Sequence, residues 1–387
     1  MTALLSSPTH FFWMLLALCL LGFGLLCAMV HDAGRGARRR ALLRRIEALD
    51  APPDEAAIEA LRESMAEARQ ALRQQAPRPA RSSRDPAAPV PWLLFIGDAA
   101  ADLPGLLATA QGKHLARHHS APESDPDSDP DDGACWRWWL TGALTAIEVQ
   151  PAAVGEAAGA PRTRALWLQA LLALAERRDR LPLNGVVACL SASELLQADA
   201  DSLRPLAAKM RRLIDEAGDT LRLQLPMYLV ITGLEHLTGY AALRGALPPE
   251  VLAQALGHRL PDPFAAPSAT AGDRLDALFD PIAAQLQSLR MALMREQHGA
   301  AARLSIHGFV EAVQGLQPAL REVAEVLFES HGKGSRAPRW RGLYFTAAAS
   351  DATGGAFVTD LFERFLPADQ PLVRPGRPSS NTTTGAP

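Results

Sequence analysis

The residues best placed to do chemistry lie at 90–107, where an apolar run ends at a glycine and leads through small residues into a second apolar segment. In a working phosphate-binding loop, G-x-x-x-x-G-K-[ST], backbone amides cradle the phosphates, the lysine neutralises them and the hydroxyl holds Mg²⁺. Only Gly97 fits this pattern, because the second glycine, the lysine and the hydroxyl are replaced by Asp102, Leu103 and Pro104. The stretch therefore predicts a strand, a turn and a helix without the groups that bind a nucleotide.

A sheet must position this loop, and five apolar runs have the length of strands. Most are unbroken rather than alternating, and helical patterns separate them, which is typical of a largely parallel sheet covered on both faces. We therefore predict an α/β domain over residues 90–350, with the sheet and flanking helices of a degenerate P-loop NTPase. The predicted strands cover 92–96, 144–149, 185–190, 227–232 and 343–346, and the predicted helices cover 164–178, 202–217 and 309–330.

A membrane segment is predicted upstream of this domain. Residues 11–30 carry no charge and, as a helix, are long enough to cross about 30 Å of hydrocarbon once. A signal peptide would carry its positive charge before the apolar run, whereas here six arginines between Arg35 and Arg45 follow it. A buried core helix, the alternative, usually carries a polar face. The positive-inside rule then predicts a single-pass inner-membrane protein with a periplasmic N-terminus and a cytoplasmic domain after about His31.

A juxtamembrane helical segment is predicted at 36–76, interrupted by Pro52 and Pro53. Its second half, at 54–75, places apolar residues at helical spacing, including Leu61, Met65 and Ala68. This pattern suits either intramolecular packing, as in a helical hairpin, or the binding of a partner, and we expect the former. A linker rich in proline and serine follows at 77–89.

Metal sites and nucleophiles have weak support in the sequence. The acidic segment within 121–134 lacks the glycine and the final glutamate of a calcium loop, so a disordered loop is predicted there. The histidines at 114, 118 and 119 have no carboxylate or cysteine that would complete a site, and they are interpreted as a solvated basic patch. Ser191 and Ser193 lack a nucleophile elbow and are interpreted as helix caps. The net charge of −3 indicates no nucleic-acid partner.

Six segments in order over residues 90–366 resemble the cytoplasmic part of the IcmF/TssM family, the large inner-membrane subunits of bacterial type VI secretion systems. The opening strand and loop at 90–97 and the Cys/Trp-rich strand at 135–140 look like those of the family. The Pro-Leu-Asn-Gly-Val segment within 181–196 and the strand at 225–232 are similar to its central motifs. Near the end, Arg-Gly-Leu-Tyr-Phe-Thr at 341–346 and Phe-Val-Thr-Asp-Leu-Phe-Glu-Arg at 357–364 resemble its last strand and a C-terminal helix, predicted at 351–366.

The resemblance also marks two further departures from a nucleotide site. Where nucleotide-binding relatives have D-T-A-G, this chain has Glu148 followed by Val-Gln-Pro, which keeps a carboxylate and loses the glycine. The base-recognition motif T-K-x-D is matched by Thr232, Gly233, Leu234 and Glu235, without the lysine and with the longer acid. We therefore expect no nucleotide cofactor, no metal and no enzymatic activity.

What the resemblance implies is a membrane-anchored, non-catalytic scaffold with a pseudo-NTPase domain. Its expected partners are the small inner-membrane subunit of the DotU/TssL type and baseplate proteins, and no small-molecule substrate is expected. Full family members carry further membrane helices and a large periplasmic region, so the periplasmic bridging role is not expected here, and residues 367–387 are predicted to be disordered. The alternatives are a GTP/ATP switch or hydrolase with an unorthodox loop, and a regulatory paralogue that competes with a full-length subunit.

Overall fold

The computed structural model describes residues 8–48, 55–75, 90–111, 113–114, 136–154, 161–177, 181–261, 269–297, 299–329, 338–349 and 354–375. The chain divides into two compact units, residues 1–52 and 53–387. The predicted linker at 77–89, the acidic loop at 121–134, the histidines at 118 and 119 and the end of the tail from 376 lie outside the described residues.

The first unit contains one continuous helix, α1 (Pro8–Glu47), which includes both the predicted span and the first part of the predicted juxtamembrane segment. Within the predicted span, side chains are described for residues 12–24, and large apolar ones such as Phe12, Trp13 and Phe23 are about 60% exposed. Among the helices of the described residues, none is both long and apolar enough to cross a membrane. The predicted span at 11–30 is therefore not confirmed.

The second unit is built on an eight-stranded sheet in the order β2-β3-β4-β1-β5-β7-β9-β8. The five strands β4, β1, β5, β7 and β9 are parallel, while β3 and β8 join antiparallel on either side and β2 extends β3. The strands are β1 (Trp92–Ile96), β2 (Lys113–His114), β3 (Trp136–Leu140), β4 (Thr145–Val149), β5 (Gly185–Ser191), β6 (Leu223–Gln224), β7 (Pro226–Thr232), β8 (Leu256–Arg259), β9 (Arg339–Phe345) and β10 (Arg374–Pro375). The predicted α/β class with a largely parallel sheet is confirmed.

Helices cover both faces of this sheet, which explains why the parallel strands read as continuous apolar runs. They are α2 (Glu55–Gln75), α3 (Leu103–Thr109), α4 (Pro161–Arg177), α5 (Ala192–Gln197), α6 (Ala200–Leu221), α7 (Tyr240–Ala246), α8 (Pro249–Ala253), α9 (Ala271–Glu296), α10 (Ala300–Gln314) and α11 (Gln317–Phe328). The predicted helix at 309–330 is two helices, because the chain turns at Gly315 and Leu316.

One face carries a group of tryptophans. Trp136 and Trp138 of β3 project to this face together with Trp92 of β1. Trp138 contacts Trp92 and Trp136, and Trp136 contacts Trp167 of α4, all in edge-to-face pairs with ring centroids 5.2–6.4 Å apart. The helix α2 packs on α4 and β3 and buries Leu61, Met65 and Ala68. Its apolar seam therefore serves intramolecular packing, as expected.

The other face carries α3 and the C-terminal segment. Leu103 and Leu106 of α3 share an apolar cluster with Phe95 and with Leu361 and Phe362 near the C-terminus. The C-terminal helix predicted at 351–366 begins only at residue 359, and a π-helical turn forms at Leu361–Phe365. Residues 367–375, predicted to be disordered, are structured and contain the buried Asp369, so that part of the prediction is wrong.

Candidate functional site

In the loop after β1, backbone N–H groups donate hydrogen bonds to aspartate side chains of the same loop. A 3-10 turn at Ala99–Ala101 follows Gly97, and the Ala101 N–H donates to Oδ1 of Asp98 at 3.2 Å. The Gly105 N–H in the first turn of α3 donates to Oδ1 of Asp102 at 3.1 Å. Asp102 reaches this position with a left-handed backbone, φ 41°. Two backbone donors of the loop are therefore satisfied by acids of the chain itself, where a phosphate loop would offer such donors to phosphate oxygens.

The position of the phosphate-binding lysine faces the protein core. Leu103 is 2% exposed and lies in the apolar cluster with Phe95 and Val187. Pro104 occupies the first turn of α3, where its missing N–H costs nothing. Gly97 lies in a tight position, because a β-carbon there would lie 3.0 Å from the β-carbon of Ala101 and 3.2 Å from the carbonyl oxygen of Cys189 on β5, so a larger residue would displace its neighbours. The glycine and the leucine thus serve the fold.

Glu148, the predicted remnant of the second motif, is fully buried in β4. It lies opposite Arg137 in the antiparallel register of β3 and β4, with 3.7 Å between Nη1 of the arginine and Oε1 of the glutamate. The indole N–H of Trp139 donates to its other oxygen at 2.7 Å. Two residues of the neighbouring strand therefore hold this carboxylate inside the sheet, and sequence inspection had not singled out either of them for this role.

The remnant of the base motif is also engaged within the protein. The hydroxyl of Thr232 donates to the Leu190 carbonyl at 3.3 Å, and Gly233 adopts φ 78°. Oε2 of Glu235 accepts a hydrogen bond from the Ala348 N–H at 3.0 Å. Burial raises the pKa of this carboxyl, and the negative charge of Asp102 acts in the same direction.

The fold brings the loop and the base motif together around a small cavity. Asp102, Thr232, Gly233 and Glu235 line it, whereas Gly97, Leu103, Pro104 and Glu148 do not. Its volume is about 10 Å³, which is room for roughly one water molecule. Sites for drug-sized ligands are about 300–1,000 Å³. The cavity can therefore hold a water molecule and is far smaller than a typical ligand site.

A further acid, Glu194, was missed by the sequence reasoning. It lies in the first turn of α5, directly after β5, and β5 is the parallel neighbour of β1. Its pKa is raised to about 7, first by burial and then by the hydrogen bond and the negative charge of Asp98. The pairing of β1 with β5 was the signal that could have found it, since the carboxyl ends of neighbouring parallel strands meet at one edge.

The electrostatics of this edge are acidic. Asp98, Asp102, Glu194 and Glu235, which we call the loop acids, surround the loop and the cavity, and Asp98 also contributes to a raised pKa of the Cys189 thiol, after burial. Across the ranges that the structure describes, no three His, Cys, Asp or Glu side chains are grouped so that they could hold a metal ion. The loop acids therefore place four carboxyl groups along one edge of the sheet.

Comparison with known proteins identifies the family of this chain. The family model of the IcmF-related N-terminal domain matches residues 160–384, more than half of the chain, including Thr232, Gly233 and Glu235. The type VI secretion system component TssM1 of Pseudomonas aeruginosa is 25% identical over 220 residues, which are 56% of this chain and 20% of TssM1. The matched part thus spans about a fifth of that relative's length. No solved structure matches. The chain belongs to the family of the IcmF-related N-terminal domain, as the motifs in its sequence predicted.

Proposed function

We propose that this protein is a non-catalytic, membrane-anchored scaffold of a type VI secretion system, with an NTPase-like domain that does not bind nucleotide. The observation that carries the proposal is the loop after β1, whose backbone donors at Ala101 and Gly105 are bound by Asp98 and Asp102. The secretion context rests on family membership and on the similarity to TssM1.

Charge supports the absence of nucleotide binding. A triphosphate at this loop would meet the loop acids and would find a buried leucine, Leu103, where the lysine is needed. Two like charges 4 Å apart near a protein surface repel by about 4 kcal/mol. Because the pKa of Glu194 is already raised by burial and by the negative charge of Asp98, added phosphate charge would be opposed further.

The direct test is titration of the purified chain with fluorescent GTP and ATP analogues in the presence of Mg²⁺. We expect no saturable binding below millimolar nucleotide and no hydrolysis above background. Binding in the micromolar range would contradict the proposal.

A restored loop provides the matched control. The triple change Asp102→Gly, Leu103→Lys and Pro104→Thr rebuilds the motif letters, yet it should not create hydrolysis, because Trp139 and Arg137 still hold Glu148 inside the sheet. Hydrolysis by this variant would show that only the loop had been lost.

Membrane anchoring is proposed from α1. Its described side chains at 12–24 present large apolar groups to the surroundings, among them Leu18, Leu20 and Leu21, each about two-thirds exposed. Such a surface is costly in water and favourable in hydrocarbon. We propose a single pass through the bacterial inner membrane with a periplasmic N-terminus.

Carbonate extraction of membranes tests the anchor. The chain should stay in the membrane pellet, and the double change Leu18→Lys with Leu21→Lys should move it to the soluble or aggregated fraction. The change Arg45→Gln, on the exposed distal end of α1, is the control and should leave the distribution unchanged. Release of the unmodified chain by carbonate would contradict anchoring.

The proposed partners are the small inner-membrane subunit of the DotU/TssL type and baseplate proteins. Affinity purification of the tagged full chain in mild detergent should recover that subunit, while a tagged single-pass membrane protein of unrelated sequence should not. Failure to recover any secretion component would count against the scaffold role, whatever the nucleotide titration shows.

A further inference from the structure

The C-terminal residues 358–375, which we call the strap, cover the sheet face that carries α3. Val358, Leu361, Phe362 and Leu366 are each at most 3% exposed and lie in the apolar cluster with the sheet residues and Leu103. The ring of Phe362 stacks on that of Phe95 with 5.7 Å between centroids. The strap therefore covers part of the core that helices cover elsewhere in the domain.

A buried carboxylate fastens the strap to three strands. Oδ2 of Asp369 accepts hydrogen bonds from the Tyr228 hydroxyl at 2.9 Å and from Nε of Arg341 at 2.8 Å. Its other oxygen, Oδ1, accepts from Nη2 of Arg341 and from Nη1 of Arg259, each at 3.2 Å. These four residues, the Asp369 cluster, join the strap to β7, β8 and β9. Asp369 and Arg341 are 5% and 9% exposed.

The backbone that leads into the strap is irregular. Phe357 has φ 65°, a left-handed conformation that bulky residues rarely adopt, and its N–H donates to the Leu252 carbonyl. Four residues later the chain forms a π-helical turn, a rare and less favourable geometry. Both features make the closed strap costlier than a regular segment, and opening relieves both.

The Asp369 cluster determines where the closed strap binds, but its burial also costs free energy. Burying a carboxylate and a guanidinium removes their hydration, and this hydration returns when the strap leaves. The strap therefore combines a releasable polar fastening with stored backbone strain, while the strands beneath it stay in their hydrogen-bonded ladder.

We propose that the strap is a cover that opens as a local unit, held shut by Asp369. Opening uncovers the apolar cluster that the strap shares with Leu103 and Leu106 of α3, so the state of the strap is transmitted to the helix that follows the loop. This conformational device is independent of nucleotide and of the proposed secretion role.

Hydrogen exchange of the full chain in detergent, read by mass spectrometry, tests the strap. The change Asp369→Asn leaves Arg341 and Arg259 partly uncompensated in the closed state only, so exchange of the strap amides should rise by about a hundredfold or more. Exchange in β5 and β7 should change far less. The control is Asp360→Asn, also in the C-terminal segment, where the carboxylate pairs with the 72% exposed Arg364 at 3.5 Å and should not affect opening.

Two further variants keep the proposal testable if Asp369→Asn folds poorly. Tyr228→Phe removes one hydrogen bond and should raise exchange in the strap by about tenfold without affecting the central strands. The double change Arg341→Met with Asp369→Leu replaces the more buried ion pair by apolar groups and leaves the partly exposed Arg259, so it should return strap exchange part of the way toward the original rate. Equal increases through the strap, β5 and β7, or no increase at all, would overturn the proposal.

Discussion

The loop acids and the Asp369 cluster place carboxyl groups in opposite electrostatic surroundings. At the carboxyl edge of the sheet, burial raises the pKa of Glu194, and the hydrogen bond and negative charge of Asp98 raise it further. Near the amino-terminal ends of β7 and β9, Asp369 lies between two arginines and a tyrosine hydroxyl. The first group brings acids together, whereas the second surrounds one acid with two arginines and a hydroxyl donor. The difference teaches that further negative charge is opposed at the carboxyl edge of the sheet, while the strap is held by attraction between opposite charges.

The largest expected effect comes from breaking the matched set. Arg341→Met leaves Asp369 with the partly exposed Arg259 and the Tyr228 hydroxyl, and removal of one member of a buried ion pair costs about 3 kcal/mol or more. Urea unfolding should show this loss. Arg364→Met, at an exposed pair, should change the free energy of unfolding by less than about 0.5 kcal/mol. Equal effects of the two changes would remove the distinction between buried and exposed pairs.

The loop acids should make stability depend on pH. The pKa of Glu194 is raised from 4.5 to about 7 in the folded protein, so the folded state binds the extra proton. The stability that this group contributes is full below about pH 4.5 and is lost as pH rises through 7. The raised pKa of Glu235 acts in the same direction. Allowing for solvent screening, we expect a loss on the order of 1 kcal/mol from Glu194.

Urea midpoints measured between pH 5 and pH 8 check this expectation. Glu194→Gln removes the titrating group and should flatten the decline, so that the variant gains stability relative to the unmodified protein at pH 8. An unchanged slope in the variant would assign the pH dependence to other groups.

The smallest expected effect is at Asp102. Its carboxylate caps the Gly105 N–H, but its backbone has φ 41°, which glycine adopts without strain. Asp102→Gly should therefore change the free energy of unfolding by only a few tenths of a kcal/mol. Asp102→Ala, which loses the cap and keeps a β-carbon in the left-handed region, should cost about 1 kcal/mol. Because both variants lack the carboxylate, a larger cost for glycine than for alanine would contradict the role given to the left-handed backbone.

The parallel strands were predictable because each is an apolar run buried on both faces, and β1 matches its prediction at both ends. The loss of the lysine from the loop was equally predictable, because the motif consists of neighbouring residues, among them Gly97, Asp102 and Leu103. In contrast, the helix α9 was missed, although the capping box of Thr270 and Asp273 marks its start. That box is a signal that local inspection could have found.

The contacts within the loop acids and within the Asp369 cluster were not predictable, because they join residues that are distant in the sequence. Asp369 contacts Tyr228, which is 141 residues away in the sequence. Residues 367–375 have the composition of a polar tail, and this composition does not indicate that Asp369 will pair with arginines of the sheet. Glu194 meets Asp98 only through the pairing of β1 with β5. Local propensity fixes strands and turns, whereas the pairing of charges depends on the order of strands in the sheet.

The tryptophans on one face of the sheet give the domain an intrinsic fluorescence probe. Trp92, Trp138, Trp136 and Trp167 form a chain of three ring pairs near α2, on the face opposite the strap. Excitation energy can pass among rings at such separations, and buried indoles emit at shorter wavelength than hydrated ones. Their emission should therefore shift to the red when α2 leaves the sheet, whereas opening of the strap should act on Trp139, which lies in the apolar cluster that the strap covers. Comparison of the spectra before and after Trp139→Phe thus distinguishes events on the two faces.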